Sequence, residues 1–231
     1  MTTSGSSTFN LDVTNIIEEA FERCGSELRT GYDFRTARRS LDLVTIEWAN
    51  RGINLWTIEQ GVIPLIQGQI EYDLPIDTID LLEHVTRTGS GSTQSDLSLT
   101  RISMPTYATI PNKNATGRPI QVWVDRQSGA TYANGTAPEG STGNIAAPKV
   151  HLYPAPDQTD KYILVYWRMR RIQDAGNGVN TQDIPFRFLN CLISALAYYL
   201  AMKIPGAQDR VAVLKAQYEE QWNFASQQDR E

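Results

Sequence analysis

The stretch DIPFRFLNCLISALAYYLAM (183–202) sets the fold class, because its second half is apolar on nearly every face of the helix that it predicts. Leu192, Leu196 and Leu200 recur at helical spacing, and small residues fill most positions between them. We expect Asp183 to cap this helix, with the following proline in its first turn, where a missing N–H costs nothing. Such a helix must be surrounded by others, so it predicts the centre of a helical domain.

Helical patterns at both ends of the chain supply the partners that this helix needs. After Asp12, apolar residues follow the 3, 4, 7, 8 spacing of one helical face and stop at Gly25. A second helix is predicted from near Asp33 to Gly52. A last helix follows the Pro-Gly break at 205–206, and its inward positions are Val211, Leu214, Tyr218 and Trp222. The simplest packing closes one bundle around both termini.

The second helix also carries two predicted ion pairs on its outer face. Arg38 with Asp42, and Glu47 with Arg51, are spaced i,i+4. Pairs at this spacing stabilise a helix by about 0.2–0.5 kcal/mol each.

Between the helical ends, the chain alternates short strand-like runs with Gly- and Pro-rich turns. The predicted strands lie within 55–75, 79–87, 119–126, 150–154 and 161–170. The first of these runs is expected to form a strand, a tight turn at 67–69 and a second strand. Several short strands at this spacing favour an antiparallel sandwich or barrel.

The run from Tyr162 to Trp167 is the most apolar of the predicted strands. At a sheet edge it would invite aggregation, so we expect a central strand that is buried on both faces. Arg168, Arg170 and Arg171 follow it and are interpreted as charged gatekeepers.

The expected fold class is therefore α+β, with a discontinuous antiparallel helical bundle from both termini and an inserted antiparallel β-sandwich or barrel domain. Residues 1–10 are expected to form a flexible tail rather than a signal peptide, because no basic or apolar segment is present. Residues 11–52 and 183–231 would form the bundle, and 53–182 the β domain. The loop at 128–147, rich in small residues, has little apolar surface to bury and is expected to be mobile or ordered only by a neighbouring molecule.

Composition limits the possible functions. The 231 residues include 26 acidic and 21 basic side chains, for a net charge of −5, which argues against tight nucleic-acid binding through a basic surface. Cys24 and Cys191 lie among apolar neighbours and are interpreted as reduced core residues. The longest apolar stretch, 191–202, is shorter than the roughly 20 residues that span a bilayer. No metal site or cofactor is predicted.

No catalytic motif is present, and no enzymatic activity is predicted. Nucleotide-binding, serine-hydrolase and zinc-protease signatures are absent from the sequence. His84 and His151 are interpreted as surface or turn residues rather than as catalytic or ligand residues. Five strand aromatics could line a sugar- or base-stacking face, although core or interface packing fits their positions better. They are Trp123, Tyr153, Tyr162, Tyr166 and Trp167.

The order of segments 37–75, 102–126 and 148–170 resembles the head-to-tail adaptor proteins of tailed bacteriophages, most closely the tail tubular protein A family of short-tailed phages. The resemblance rests on turn motifs. An Arg51-Gly52 pair precedes a strand with Trp56, and a Tyr-x-Leu-Pro sequence ends at Pro75. The remaining motifs are a Gly-Arg-Pro turn at Gly117, Arg118 and Pro119, and a Tyr-Pro-x-Pro turn at Tyr153, Pro154 and Pro156.

The resemblance implies a structural virion protein of the neck, a ring of twelve subunits between the portal and the tail nozzle, assembled in the host cytoplasm. Genome DNA would pass through its channel with weak non-specific contact, tail fibres are left open as a further partner, and no membrane is involved. A tail-associated carbohydrate-binding or carbohydrate-cleaving β-sandwich is the alternative.

The last helix offers a candidate subunit or portal interface. It is formed by Tyr218, Trp222 and Phe224. The alternative, that these aromatic residues close the bundle, fits the helical pattern equally well.

Overall fold

The computed structural model describes residues 3–52, 55–126 and 147–228. The chain divides into two compact units, one made of Met1–Trp56 and Ile172–Glu231, the other of Thr57–Arg171. The predicted α+β class is confirmed, because helices lie at both ends of the chain and strands between them. Apart from its last residue, the predicted loop at 128–147 lies outside the described residues.

The first unit is helical, and one apolar helix lies at its centre. Its helices are α1 (Val13–Cys24), α2 (Gly31–Asn50), α4 (Leu189–Ala201) and α5 (Val211–Gln228), while α3 (Met104–Ala108) belongs to the second unit. Helix α4 packs against α1, α2 and α5, and Leu192 and Leu196 have no solvent-exposed surface. The prediction of a helix surrounded by the others is confirmed.

Local signals set the ends of the first two helices. The Asp12 side chain accepts a hydrogen bond from the Asn15 amide at 2.8 Å, and Gly25 ends α1 with a φ of +76°, as predicted. Helix α2 begins slightly earlier than predicted, because Thr30 and Asp33 form a capping box.

Asp183 does not cap α4. Its Oδ2 instead accepts a hydrogen bond from the Gln173 amide at 3.1 Å. Pro185 has an extended backbone, and a 3₁₀ turn at Phe186–Phe188 precedes the helix, which begins at Leu189. The predicted cap is therefore wrong, since the tight turn moves the helix start several residues further along the chain.

One of the two predicted ion pairs of α2 is present. Glu47 pairs with Arg51, whereas Arg38 and Asp42 both bind the segment that follows the β unit. Arg38 Nη1 donates to the Gly176 carbonyl at 2.9 Å, and Asp42 Oδ1 accepts from the Ala175 amide at 2.9 Å. These contacts with the backbone take the place of the i,i+4 pair.

The second unit is a β-sandwich. Its strands are β1 (Ile58–Pro64), β2 (Glu71–Asp73), β3 (Thr78–Thr88), β4 (Ser95–Ser98), β5 (Thr100–Arg101), β6 (Thr116–Gly117), β7 (Gln121–Asp125), β8 (Lys149–Tyr153), β9 (Ala155–Pro156) and β10 (Tyr162–Arg170). One sheet has the order β1-β10-β3-β4, a second has β2-β8-β7-β5, and β6 pairs with β9. Side chains from both four-stranded sheets share one apolar core.

The pairing of strands differs from the sequence expectation in two ways. The run at 55–75 does not form a hairpin, because β1 pairs with β10 and β2 pairs with β8 in the other sheet. The turn before β2 thus crosses between the two layers. In addition, the short pairs β5–β7 and β6–β9 are parallel, while the longer pairs are antiparallel. Among the described strands the pairings leave two open sheets rather than a closed barrel.

Strand β10 is central, as predicted, with β1 on one side and β3 on the other. Leu164 and Tyr166 face the shared core, but Trp167 is only half-buried.

Arg168 is not a solvated gatekeeper, since its residue is 9% exposed. It donates hydrogen bonds to Asp77 at 2.6 Å and to Glu59 at 2.9 Å. These two carboxylates compensate the positive charge of Arg168, which would raise the free energy of the folded state if it were buried without a partner.

Candidate assembly surface

Helix α5 carries the three residues that were predicted from the sequence to form a subunit or portal interface. The structure places Tyr218 and Trp222 in the bundle core, with 1% and 9% of their surface exposed. Phe224 is 55% exposed. Residues two positions apart on a helix lie about 200° apart around its axis, so Trp222 and Phe224 point in different directions. Phe224 is therefore the accessible member of the set.

Arg51, at the C-terminal end of α2, covers the two buried aromatic rings of α5. Its Cζ lies 4.6 Å from the Trp222 ring centroid and 5.4 Å from that of Tyr218. The guanidinium also pairs with Glu47 on its own helix and with Glu219 on α5, the latter at 3.5 Å. This arginine thus joins α2 to α5 by cation–π and ionic contacts together.

The Glu47 carboxylate collects hydrogen bonds from two tyrosines beneath Arg51. Tyr199 on α4 donates to it at 2.7 Å and Tyr218 at 3.3 Å, while Trp48 Nε1 donates to the Tyr218 hydroxyl at 3.2 Å. The pKa of Tyr199 is raised to about 12, chiefly by burial and in addition by the hydrogen bond to Glu47. Burial also raises the pKa of Tyr218. The network fixes the inner face of α5 and so holds its outer face in one orientation.

The outer face of α5 combines exposed apolar side chains with few charges. Val213 and Phe224, three helical turns apart, are both exposed. The exposed residues between them are Lys215, Ala216, Gln217, Glu220 and Asn223. Cores of protein interfaces are poor in charged residues and rich in aromatic ones. A fixed helix with this surface is suited to docking on another protein.

The two turn motifs that carry the resemblance come together in the β unit. Gly117 pairs with Pro156, and the Ala155 amide donates to the Ala115 carbonyl at 2.8 Å. A Cβ on Gly117 would lie 3.7 Å from Pro154 Cγ, an ordinary contact. The two motifs thus form one junction that aligns β6 with β9.

The other motif residues continue this junction. The Ile120 amide donates to the Tyr153 carbonyl at 3.0 Å, and the Tyr153–Pro154 peptide bond is cis. Pro119 is buried, whereas the Arg118 side chain is exposed. The motif residues therefore shape the backbone, and Arg118 is the one that a partner could reach.

Both histidines lie in strands and are buried, so their interpretation as surface or turn residues is wrong. His151 stacks on Trp123 with 4.3 Å between ring centroids, and Tyr107 of α3 lies 5.1 Å from Trp123. Burial lowers the pKa of His151 and, together with the charge of Arg101, that of His84. The rings of His151, Trp123 and Tyr107 pack together on the outer face of the second sheet, whereas His84 lies on β3 of the first sheet.

The aromatic residues considered for sugar or base stacking do not form one exposed face. Tyr162 and Tyr166 lie in the apolar core, whereas Trp123, Tyr153 and Trp167 are half-buried. Stacking on a ligand requires an accessible ring face. Two of the five side chains are therefore unavailable for such a role.

The described residues also bear on metals, membranes and thiols. Within these ranges no cluster of three or more His, Cys, Asp or Glu side chains could bind a metal ion, and none of the helices could span a bilayer. Cys24 and Cys191 are buried free thiols, as predicted, and burial raises their pKa to about 11 and about 12. Such thiols are unreactive at neutral pH.

A comparison with protein-family models places these features in context. The model of the SU10 adaptor protein family matches residues 12–231. The chain belongs to this family and is a phage adaptor-type structural protein, a component of the virion. No curated protein sequence matches the chain significantly.

Sequence reasoning missed the contacts by which Arg51 and Tyr199 hold α5 in place. The i,i+4 spacing of Glu47 and Arg51 indicated a surface pair, but spacing within one helix does not reveal which other helix lies above it. The position of Arg51 one residue before the helix-ending Gly52 was the available signal, because a side chain there can reach past the helix end.

Proposed function

We propose that this protein is a ring-forming head-to-tail adaptor that joins the phage portal to the tail nozzle, similar to tail tubular protein A of short-tailed phages. The outer face of α5, where Val213 and Phe224 are exposed, carries the proposal, because packing on α4 and contacts with Arg51 and Glu47 hold the helix in place. The family match over residues 12–231 supports an adaptor role. We assign this face, centred on Phe224, to the portal contact.

The ring would contain twelve subunits and form part of the DNA channel. A closed ring requires a heterologous interface, in which one patch of a subunit meets a different patch of the next. The adaptor would assemble on the portal in the host cytoplasm and remain in the neck of the virion, next to the tail nozzle and to any tail fibres.

The charge of the chain is consistent with weak contact to passing DNA. Fifteen acidic and eleven basic side chains belong to the helical unit, and the whole chain has a net charge of −5. Few phosphates could be neutralised by such a surface, so few counterions would be released on binding. Weak contact suits a channel through which the genome must slide.

Negative-stain imaging of the protein mixed with its purified portal tests the proposal. The wild-type protein should add a ring of density to one end of the portal. Phe224→Asp should abolish the added density, because it places a charge in an apolar contact. Gln94→Asp, which makes a similar change at an exposed site of the β unit, is the control and should assemble normally. Portals without added density in the wild-type mixture would refute the proposal.

A further inference from the structure

Two open grooves of opposite charge character lie on the helical unit. The acidic groove, of about 700 Å³, has Glu18, Glu19, Glu22, Arg23, Phe186 and Arg187 in its lining. The basic groove, of about 960 Å³, has Glu27, Arg29, Tyr32, Asp33, Arg39 and Lys203 in its lining. The two grooves share no lining residue.

The acidic groove contains carboxylates that the described part of the chain leaves without a counter-ion. Glu18 and Glu22 are exposed on α1 and have no ion-pair partner among the described residues. Like charges at this i,i+4 spacing destabilise a helix. Glu19 is already paired with Arg23 at 3.0 Å, which leaves Arg187 as the remaining cation of the groove. An external positive charge would relieve the repulsion.

The basic groove shows the opposite imbalance. Its two carboxylates are engaged locally, since Glu27 pairs with Arg29 at 3.2 Å and Asp33 is held in the capping box of α2. Arg39 and Lys203 have no ion-pair partner among the described residues, and Lys203 Nζ donates a hydrogen bond to Ser40 Oγ at 2.7 Å. Burial lowers the pKa of Lys203, and the nearby charge of Arg39 lowers it further. Two neighbouring cations that no carboxylate of the described residues pairs with favour an external carboxylate.

Exposed aromatic rings stand at the rims of both grooves. Phe186 is 71% exposed beside the acidic groove, and Tyr32 is 67% exposed beside the basic one. Aromatic side chains bury large areas at interfaces and often dominate their binding energy. The rims could therefore supply the apolar part of a contact whose charges lie in the grooves.

We infer that the acidic groove of one subunit docks on the basic groove of the next copy of this chain. The inference rests on the proposed ring and names the surfaces that would build it. Because the two grooves are different patches of the same chain, their pairing is heterologous and can be repeated around a closed ring. The complementary charges would fix the orientation and register of neighbouring subunits.

Charge reversal with compensation tests this inference. Reversing the charge of the acidic groove with Glu18→Lys and Glu22→Lys should weaken assembly on the portal at least tenfold. Reversing the charge of the basic groove with Arg39→Glu and Lys203→Glu should weaken it by a similar factor. The variant with all four substitutions restores opposite charges across the contact and should recover assembly. The changed residues are exposed, so circular dichroism and the melting temperature should show that each variant folds. Glu83→Lys, on the β unit, is a control for charge and should assemble as the wild type does.

The outcomes separate this inference from the adaptor function itself. Wild-type rings on the portal, together with normal rings from both reversed variants, would overturn the groove pairing and leave the adaptor proposal intact. Loss of assembly in folded reversed variants without recovery in the fourfold variant would also overturn it. Failure of the wild-type protein to form a ring on the portal would instead refute the proposed function, and the inference with it.

Discussion

The guanidinium of Arg51 lies over the indole ring of Trp222, with its Cζ 4.6 Å from the ring centroid. The two residues are far apart in sequence, one at the end of α2 and the other on the last helix. Their contact joins the N-terminal and C-terminal parts of the helical unit. It adds to the packing of α5 against α4.

Replacing Arg51 should therefore loosen α5. Arg51→Ala removes the cation–π contact with Trp222 and the ion pair with Glu47, and should lower the free energy of unfolding by about 1–2 kcal/mol. Urea unfolding measures this change. Arg35→Ala, at an exposed site of α2, is the matched control and should change stability by less than about 0.5 kcal/mol. Equal stabilities of the two variants would contradict the assigned role.

The two ends of the chain should fold as one unit. Leu196 has no exposed surface at the centre of α4, so Leu196→Asp would bury an unpaired charge at a cost of several kcal/mol. Because α4 packs against α1 and α2, hydrogen exchange should lose protection throughout residues 12–50. Gln217→Asp on the exposed face of α5 is the control. Full protection of residues 12–50 in the Leu196 variant would show that the ends fold separately.

The stability of the β unit should decrease in mild acid. The folded state lowers the pKa of His151 below the ordinary imidazole value of 6.5, chiefly through burial, although Glu71 and Asp125 oppose this effect and Lys149 adds to it. The unfolded chain therefore binds more protons as the pH falls below 6.5, and the stability present above that value is lost.

Unfolding measurements between about pH 7.5 and about pH 5 test this prediction, since most carboxylates stay ionised in that range. Hydrogen exchange of β8 and β10 in urea reports on the β unit alone. The pH dependence should be smaller in His151→Gln than in the wild type. An identical dependence in both proteins would assign the acid sensitivity to another group.

Two residues of β10, Leu164 and Trp167, should differ in their contribution to stability. Leu164 is fully buried between the sheets, so Leu164→Ala should lower the free energy of unfolding by about 2–5 kcal/mol. Trp167 is half-buried outside the shared core, and its replacement by alanine should cost less. Thermal and urea unfolding of the two variants provide the comparison. A larger loss for Trp167→Ala would mean that the outer face of this sheet is the better packed one.

Much of the fold follows from periodicity in the sequence. The apolar positions of 191–202 predicted a surrounded helix, and the run at 162–167 predicted a central strand, because burial dictates composition at such sites. Strand pairing was less predictable. The run at 55–75 looked like a hairpin, yet its strands lie in different sheets, since register and partners are decided by contacts between distant residues.

The candidate site, too, was only partly predictable from the sequence. The spacing of Leu214, Tyr218 and Trp222 indicated a buried stripe, and the structure places all three in the core. The sequence could not show that Arg51 covers two of these rings, or that Arg168 is buried between carboxylates, because long-range ion pairs leave no periodic signal. Phe224 was grouped with Tyr218 and Trp222 in the predicted interface, although helical spacing places it on a different side of the helix.

The mass of the complex formed between this protein and its purified portal, measured by native mass spectrometry, tests the adaptor role most directly. We predict that twelve copies add to each portal, and that the protein alone binds DNA weakly at physiological salt. A portal with no bound subunits, or sub-micromolar DNA affinity of the protein alone, would contradict the account.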